Sequence, residues 1–260
     1  MEAIYRLNGS TVETRRWAGG PWNAEQQHGS APAALAMWMA EQVPTPQPMR
    51  IARLTVDLLR PVPVAPLDIE TEILREGRKI QLCAVHLSAG GVEVARATVL
   101  KVRALAVDLP AAAAITPTAL PPPPASGEAF DNLFARATNS FVTGISMKEV
   151  KGAFRSPGPC AVWCRADRPI VEGAETTPAM RAAIAADFCN GVSSVLDFAK
   201  WIFINGDLTV SLSRMPVGEW ILLDAESWLG PEGAGIAFGK LADTRGYFGR
   251  AIQSLVIEPR

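Results

Sequence analysis

Histidine is nearly missing from this chain: its 260 residues contain two, His28 and His86. Imidazole catalysis would have to use one of them, and His86 alternates with Val85 and Leu87 in a strand-like run that suits a surface or cross-strand position. Cysteine is scarce too, with four residues at positions 83, 160, 164 and 189. Cys160 and Cys164 have a loose metal-like spacing, but no second pair follows, so no metal site is expected. Buried free thiols in a reducing compartment are the plainer reading. Neither charge dominates: 25 basic residues stand against 26 acidic ones. That leaves no basic footprint for nucleic acid. No apolar run is long enough to span a bilayer, so no membrane partner is expected. Met1 to Arg6 lacks the charged and apolar regions of a signal peptide, and the expected compartment is the cytoplasm. A Gly-x-Ser-x-Gly elbow is absent as well, which argues against a serine triad. Nothing implies a cofactor.

Apolar residues make up 48% of the chain, ample for a core. The chain divides near its middle. Residues 105–130 run from Leu105-Ala106-Val107 through an alanine stretch to Pro121-Pro122-Pro123-Pro124. Consecutive prolines continue neither a helix nor a central strand and favour an extended connection. The reading is one unit at 1–104, a Pro/Ala-rich linker at 105–130 and a second unit at 131–260.

Both units have the same order of elements. In the first, a β-like stretch from Thr11 to Arg16 leads to a turn at Gly19-Gly20-Pro21. A helix is expected from Ser30 to Val43, with Pro32 in its first turn. Strand-like runs follow at 50–60, 67–78, 79–88 and 92–102, with a hairpin signal at Gly90-Gly91. In the second, strand-like runs at 141–154 and 160–168 precede a helix that starts at Thr177-Pro178 and breaks at Asn190-Gly191, with a continuation from Val192 to Phe198. Runs at 201–213, 220–228, 235–242 and 246–257 come next, the last two joined by a hairpin at Asp243-Thr244-Arg245-Gly246. A long helix followed by four antiparallel strands, twice over, is an internal duplication. Gly230-Pro231-Glu232-Gly233-Ala234-Gly235 joins two strand patterns, so it reads as a hairpin loop and not a phosphate cradle.

Asp187 is the residue that stands out. It follows Ala182-Ala183-Ile184-Ala185-Ala186 and precedes Phe188-Cys189, so one carboxylate projects from a helix with mainly apolar walls. An unpaired buried charge is expensive. Asp187 therefore has structural hydrogen-bond partners, or it holds a reactive water or a substrate.

The chain resembles the acyl-CoA thioesterase II group of the double hotdog superfamily, in its thioesterase-like branch. In the first half the resemblance rests on Gly20-Pro21-Trp22-Asn23, on Gln27-His28-Gly29-Ser30-Ala31-Pro32, and on Thr55-Val56-Asp57-Leu58-Leu59-Arg60-Pro61. In the second it rests on Ala186-Asp187-Phe188-Cys189-Asn190-Gly191, Asn205-Gly206-Asp207-Leu208-Thr209, Gly218-Glu219-Trp220, and Asp243 through Gly249-Arg250-Ala251-Ile252-Gln253. The resemblance implies an α+β fold: a double hotdog of two tandem units, each a long helix wrapped by an antiparallel sheet, forming one continuous sheet. It also implies hydrolysis of an acyl-CoA thioester by a water held by three polar groups of the second unit. By motif position these are Asp187, Gln253 and Asn205. Better-known members carry Thr where Asn205 stands, and Thr209 is an alternative if the register is off by two.

Asp187 would act as general base or water-orienting carboxylate, and Gln253 would position the water or polarise the carbonyl. Oxyanion donors would come from the first half, from backbone N–H groups around Gly29 and Ser30 at a helix start, with His28 beside them. The equivalent second site would pair the start of the Pro178 helix with Met37, Trp38 and Met39 and no carboxylate. One working site per chain is predicted, the other packed with apolar side chains. Met37, Phe188, Leu196 and Phe198 are expected to line an acyl tunnel. Arg53, Arg60, Arg75, Arg78 and Lys79 read as a solvated face, and none is assigned to the phosphates of coenzyme A. A double hotdog is already a pseudo-dimer, and an exposed sheet or helix face leaves room for a homo-oligomer. Two other readings stand beside hydrolysis: a non-catalytic acyl-binding hotdog protein, and a hotdog enoyl hydratase, which would want a His–carboxylate pair.

Overall fold

The structure, a computed structural model, describes residues 1–113, 119–138, 140–154 and 156–260. Residues 114–118 of the expected linker, and positions 139 and 155 of the second unit, lie outside the described residues. Each half opens with a hairpin, continues into a helix and ends in a meander. In the first half these are β1 (Tyr5–Asn8), β2 (Thr11–Thr14), α1 (Ser30–Gln42), β3 (Met49–Asp57), β4 (Leu67–Glu76), β5 (Ile80–Ala89) and β6 (Val92–Arg103). In the second they are β7 (Ile145–Lys151), β8 (Cys160–Ala166), α2 (Pro178–Asp187), α3 (Cys189–Val192), β9 (Trp201–Asn205), β10 (Asp207–Leu212), β11 (Ile221–Leu229), β12 (Ala234–Asp243) and β13 (Gly246–Pro259). Among the described residues the strands form one thirteen-stranded antiparallel sheet, in the order β1-β2-β4-β5-β6-β3-β10-β13-β12-β11-β8-β7, with β9 also on β13. The fold is the α+β double hotdog.

The seam between the halves is the β3–β10 pair, where Thr55 faces Thr209 and their hydroxyls lie 3.1 Å apart. α1 and α2 pack against each other on the same face of the sheet. Both helices are rich in small buried side chains: Ala31, Ala33, Ala34, Ala36 and Ala40 on one, and Ala179, Ala182, Ala183, Ala185 and Ala186 on the other, are all fully buried or nearly so. Small side chains let helix backbones approach closely, and here the start of each helix meets the end of the other.

Four local expectations are corrected. The run 201–213 is two strands, because its inward-facing set changes parity at Gly206: Phe203 is buried before it, and Leu208, Val210 and Leu212 after it. β3 changes in the same way, from Ile51 to Leu54 and Val56, with a register shift between Ile51 and Arg53. Past Val192, the last residue of α3, the stretch 193–198 is not helical. The Ser193 hydroxyl bonds to the Cys189 carbonyl and to Ser227 at 2.8 Å each, and Ser194 bonds to the Leu196 carbonyl, local bonds that compete with helix. Asn190-Gly191 lies within α3 and does not end a helix. Phe141–Gly144 is a 3-10 turn ahead of β7, not strand.

Candidate active site

Asp187 is the last residue of α2. Thr177 starts that helix by accepting the Met180 N–H with its side chain, at 3.3 Å, and Pro178 fits its first position. Inward alternation on β13 buries Ala251, Gln253 and Leu255 while Ile252, Ser254 and Val256 face out. Gln253 is therefore carried under the end of α2, and Asn205 reaches it from β9, just before the parity change.

Donors from both halves meet the Asp187 carboxylate, whose side chain is 4% exposed. Oδ1 accepts from Gln253 Nε2 at 3.0 Å and from Asn205 Nδ2 at 3.1 Å. Oδ2 lies 3.1 Å from the Ser30 hydroxyl and 3.1 Å from His28 Nδ1. The hydroxyl has one proton, shared in choice with the Ile184 carbonyl at 3.2 Å. His28 Nδ1 also lies 3.2 Å from the Ser30 N–H. One tautomer donates to Asp187; the other accepts from Ser30. Gly29 closes the arrangement: a Cβ there would lie 2.8 Å from Asp187 Oδ1, so only glycine admits the carboxylate at this distance.

The loop before α1 is fixed by its own bonds. Gln27 N–H donates to the Val62 carbonyl at 2.7 Å and His28 N–H to the Ala18 carbonyl at 2.8 Å. The Tyr5 hydroxyl donates to Gln27 Oε1, and Gln27 Nε2 donates to the Pro63 carbonyl at 2.8 Å. The His28 ring sits between Phe141 and Phe188, with centroids 5.1 and 4.7 Å away.

Above these groups opens a cleft of about 750 Å³, walled by Trp22, Phe134, Phe154, Phe188, Phe198 and Phe203 among others. Asp187, Asn205, His28 and Gly29 line it. Gln253 and Ser30 are fully buried and lie behind it. Cys189 is no competing nucleophile: burial, and then the charge of Asp187, push its thiol well above the ordinary range.

Six of the seven residues named from sequence thus converge, and Thr209 does not. The parity change at Gly206 turns Thr209 to the opposite face, where it pairs with Thr55. Of the expected tunnel residues, Phe188 and Phe198 line the cleft; Met37 is buried in the core and Leu196 lies elsewhere. The expectation of an apolar, carboxylate-free counterpart is also overturned. The Thr177 hydroxyl donates to Glu41 Oε2 at 2.8 Å. Counting from the helix-starting prolines would have revealed it, since Glu41 follows Pro32 at the spacing by which Asp187 follows Pro178.

Two hotdog units sharing one sheet, with a polar cluster on their boundary, define the double hotdog class. The family comparison is narrower. The acyl-CoA thioesterase N-terminal domain matches residues 18–102, and the acyl-CoA thioesterase C-terminal domain matches residues 117–257. The chain belongs to the acyl-CoA thioesterase family and is a thioesterase. No curated protein matched the chain. Similar solved structures include a conserved protein of unknown function with hot dog fold from Alicyclobacillus acidocaldarius, at 17% identity and TM-score 0.75 over 98% of this chain and 95% of that one. The tesB protein of Mycobacterium avium subs paratuberculosis is 16% identical with TM-score 0.69, covering 98% and 96%. An acyl-CoA thioesterase II of Mycobacterium marinum is 16% identical with TM-score 0.67, covering 89% of each chain. At such identities these structures speak for the fold. No helix among the described residues is long and apolar enough to cross a membrane.

Proposed function

We propose that the chain hydrolyses an acyl-CoA thioester with a water activated at Asp187. The observation that carries this reading is that donors from both halves converge on Asp187, the one carboxylate among the described residues that lines the apolar cleft. The acyl chain lies along the aromatic wall. A water beside Asp187 gives up its proton as its oxygen attacks the carbonyl carbon. Asn205 spends its Nδ2 hydrogens on Asp187 and on the Asp207 carbonyl, so its Oδ1 is left to accept from that water. The Gly29 N–H, which has no acceptor among the described residues, faces the developing oxyanion. Collapse of the tetrahedral intermediate breaks the C–S bond, and the proton leaves with the thiol.

Gln253 takes a positioning role. Both of its Nε2 bonds go to Asp187, one to the carboxylate and one to the backbone carbonyl at 3.1 Å, and its Oε1 accepts the Asn190 N–H at 3.1 Å. Fully buried behind the cleft, Gln253 presents no polar atom to substrate.

The test is thiol release from short-, medium- and long-chain acyl-CoAs, with Asp187→Asn beside wild type and folding checked by thermal melt. Turnover by wild type and loss in a folded variant supports the reading. No turnover on any thioester moves the acyl-binding reading ahead. The 3.1 Å approach of His28 to Asp187 favours one second reading, hydration of an enoyl thioester by a His–carboxylate pair. An enoyl-CoA belongs in the panel, and loss of its conjugated absorbance would reveal that reaction.

A further inference from the structure

Two arginines at the cleft are not used by the chemistry above. Besides Asp187 and His28, the ionisable side chains among the described residues that line the cleft are Arg60 and Arg136. Both are exposed, and neither pairs with a carboxylate among the described residues.

The internal repeat shows that Arg60 is a special case. Leu54-Thr55-Val56 recurs as Leu208-Thr209-Val210, which sets Arg60 opposite Arg214, and the Thr55–Thr209 register agrees. Arg214 is fully committed to structure. It donates Nη1 and Nη2 to the buried Asp243 at 2.5 and 2.7 Å, and Nη2 to the Gly246 carbonyl at 2.9 Å. Arg96-Ala97 recurs as Arg250-Ala251, so Asp243 falls opposite Ala89. The first half has alanine where the second has the clamping carboxylate. Arg60 is thus the unclamped copy of a structural arginine, and it lines the cleft.

We propose that Arg60 and Arg136 form an anion subsite at the cleft mouth that takes the phosphate groups of coenzyme A. The choice of ligand rests on the acyl-CoA reading. Guanidinium groups suit phosphate because their planar fork donates two parallel hydrogen bonds. The mouth of an otherwise apolar cleft is where a thioester would leave its charged end. Depth for the acyl chain and charge at the rim then divide one substrate between two environments.

The test is calorimetric binding of coenzyme A, 3′-dephospho-coenzyme A and pantetheine to wild type and to the double variant Arg60→Ala/Arg136→Ala. Both side chains are exposed, so the variant should melt with wild type. Preference for coenzyme A over pantetheine should fall at least about tenfold in the variant, as two charge-assisted contacts are removed. Salt should weaken coenzyme A binding more steeply in wild type than in the variant. A smaller loss for 3′-dephospho-coenzyme A would place an arginine on the 3′-phosphate; equal losses would place both on the diphosphate, which the subsite equally allows. Unchanged coenzyme A affinity, an equal loss for pantetheine, or no coenzyme A binding by wild type would each overturn the proposal. Thiol release run alongside separates the two ideas. Hydrolysis with arginine-independent binding sinks the subsite alone, and arginine-dependent binding without hydrolysis sinks the catalytic reading alone.

Discussion

The two ends of the α1–α2 pair carry the same contact in different surroundings. At one end Ser30 meets Asp187; at the other Thr177 meets Glu41. The strand repeat sets Asn205 and Gln253 opposite Ile51 and Val99, which are both buried. Asp187 therefore has two amide donors beneath it where Glu41 has aliphatic carbon. Glu41 has instead a charged neighbour. Burial pushes its carboxyl up, against the opposing pull of the Thr177 hydroxyl and Lys101. Lys101 is 3% exposed, donates to the Val43 carbonyl at 2.7 Å, and is pulled below the ordinary lysine range by burial. Duplication supplies a helix-end carboxylate twice. The strands beneath decide which one faces a cleft with its donors in place.

The largest expected effect comes from removing the carboxylate at the equipped end. Asp187→Asn should lower kcat by about a thousandfold while the melt stays close to wild type. A variant that keeps a tenth of the activity would place the base elsewhere. Asp243→Ala gives the second half the residue that Ala89 supplies in the first. It strands Arg214, and urea unfolding should show a loss of about 3–5 kcal/mol at neutral pH. Burial tends to raise the Asp243 carboxyl, but the bonds from Arg214, Val217 N–H and Arg245 N–H together hold it below its ordinary 3.8. Its contribution is thus present above that value and is lost as pH falls through the lowered one, so the gap between variant and wild type should close in acid.

Gln253→Val copies Val99 into the site. It removes two donors from the end of α2, and kcat should fall roughly 10- to 100-fold, corresponding to about 1–3 kcal/mol of lost bonding. Loss of stability without loss of kcat would make Gln253 a purely structural residue. The smallest effect should come from the other end. Glu41→Gln keeps an acceptor for Thr177 and removes the ionisation. Because the folded carboxyl is raised, its contribution is intact below the ordinary 4.5 and is lost as pH rises through the raised value. The variant should match wild type in acid and melt about 2 °C higher at neutral pH, with hydrolysis unaffected.

Much of this was legible in the residues. Pro32 and Pro178 mark both helix starts, and alternation along β13 points Gln253 inward. The resemblance to thioesterases selected Asp187, Asn205 and Gln253 from among many polar residues. What stayed hidden was tertiary. Nothing local says that the inward face changes at Gly206 and again near Ala52, because both changes are set by neighbouring strands. The apolar run through Phe188 and Cys189 does not announce that α2 ends at Asp187. Arg60 looked like any solvated cation until Asp243 was seen to clamp its counterpart.

The Thr55–Thr209 seam has a further consequence. In a hotdog dimer made of separate chains, a site shared by both partners would vanish on dilution as the partners part. Here Gly29, Ser30 and Asp187 belong to one polypeptide and stay together by connectivity, so specific activity should not depend on protein concentration. The two halves are also free to differ, since a substitution in one is not copied into the other.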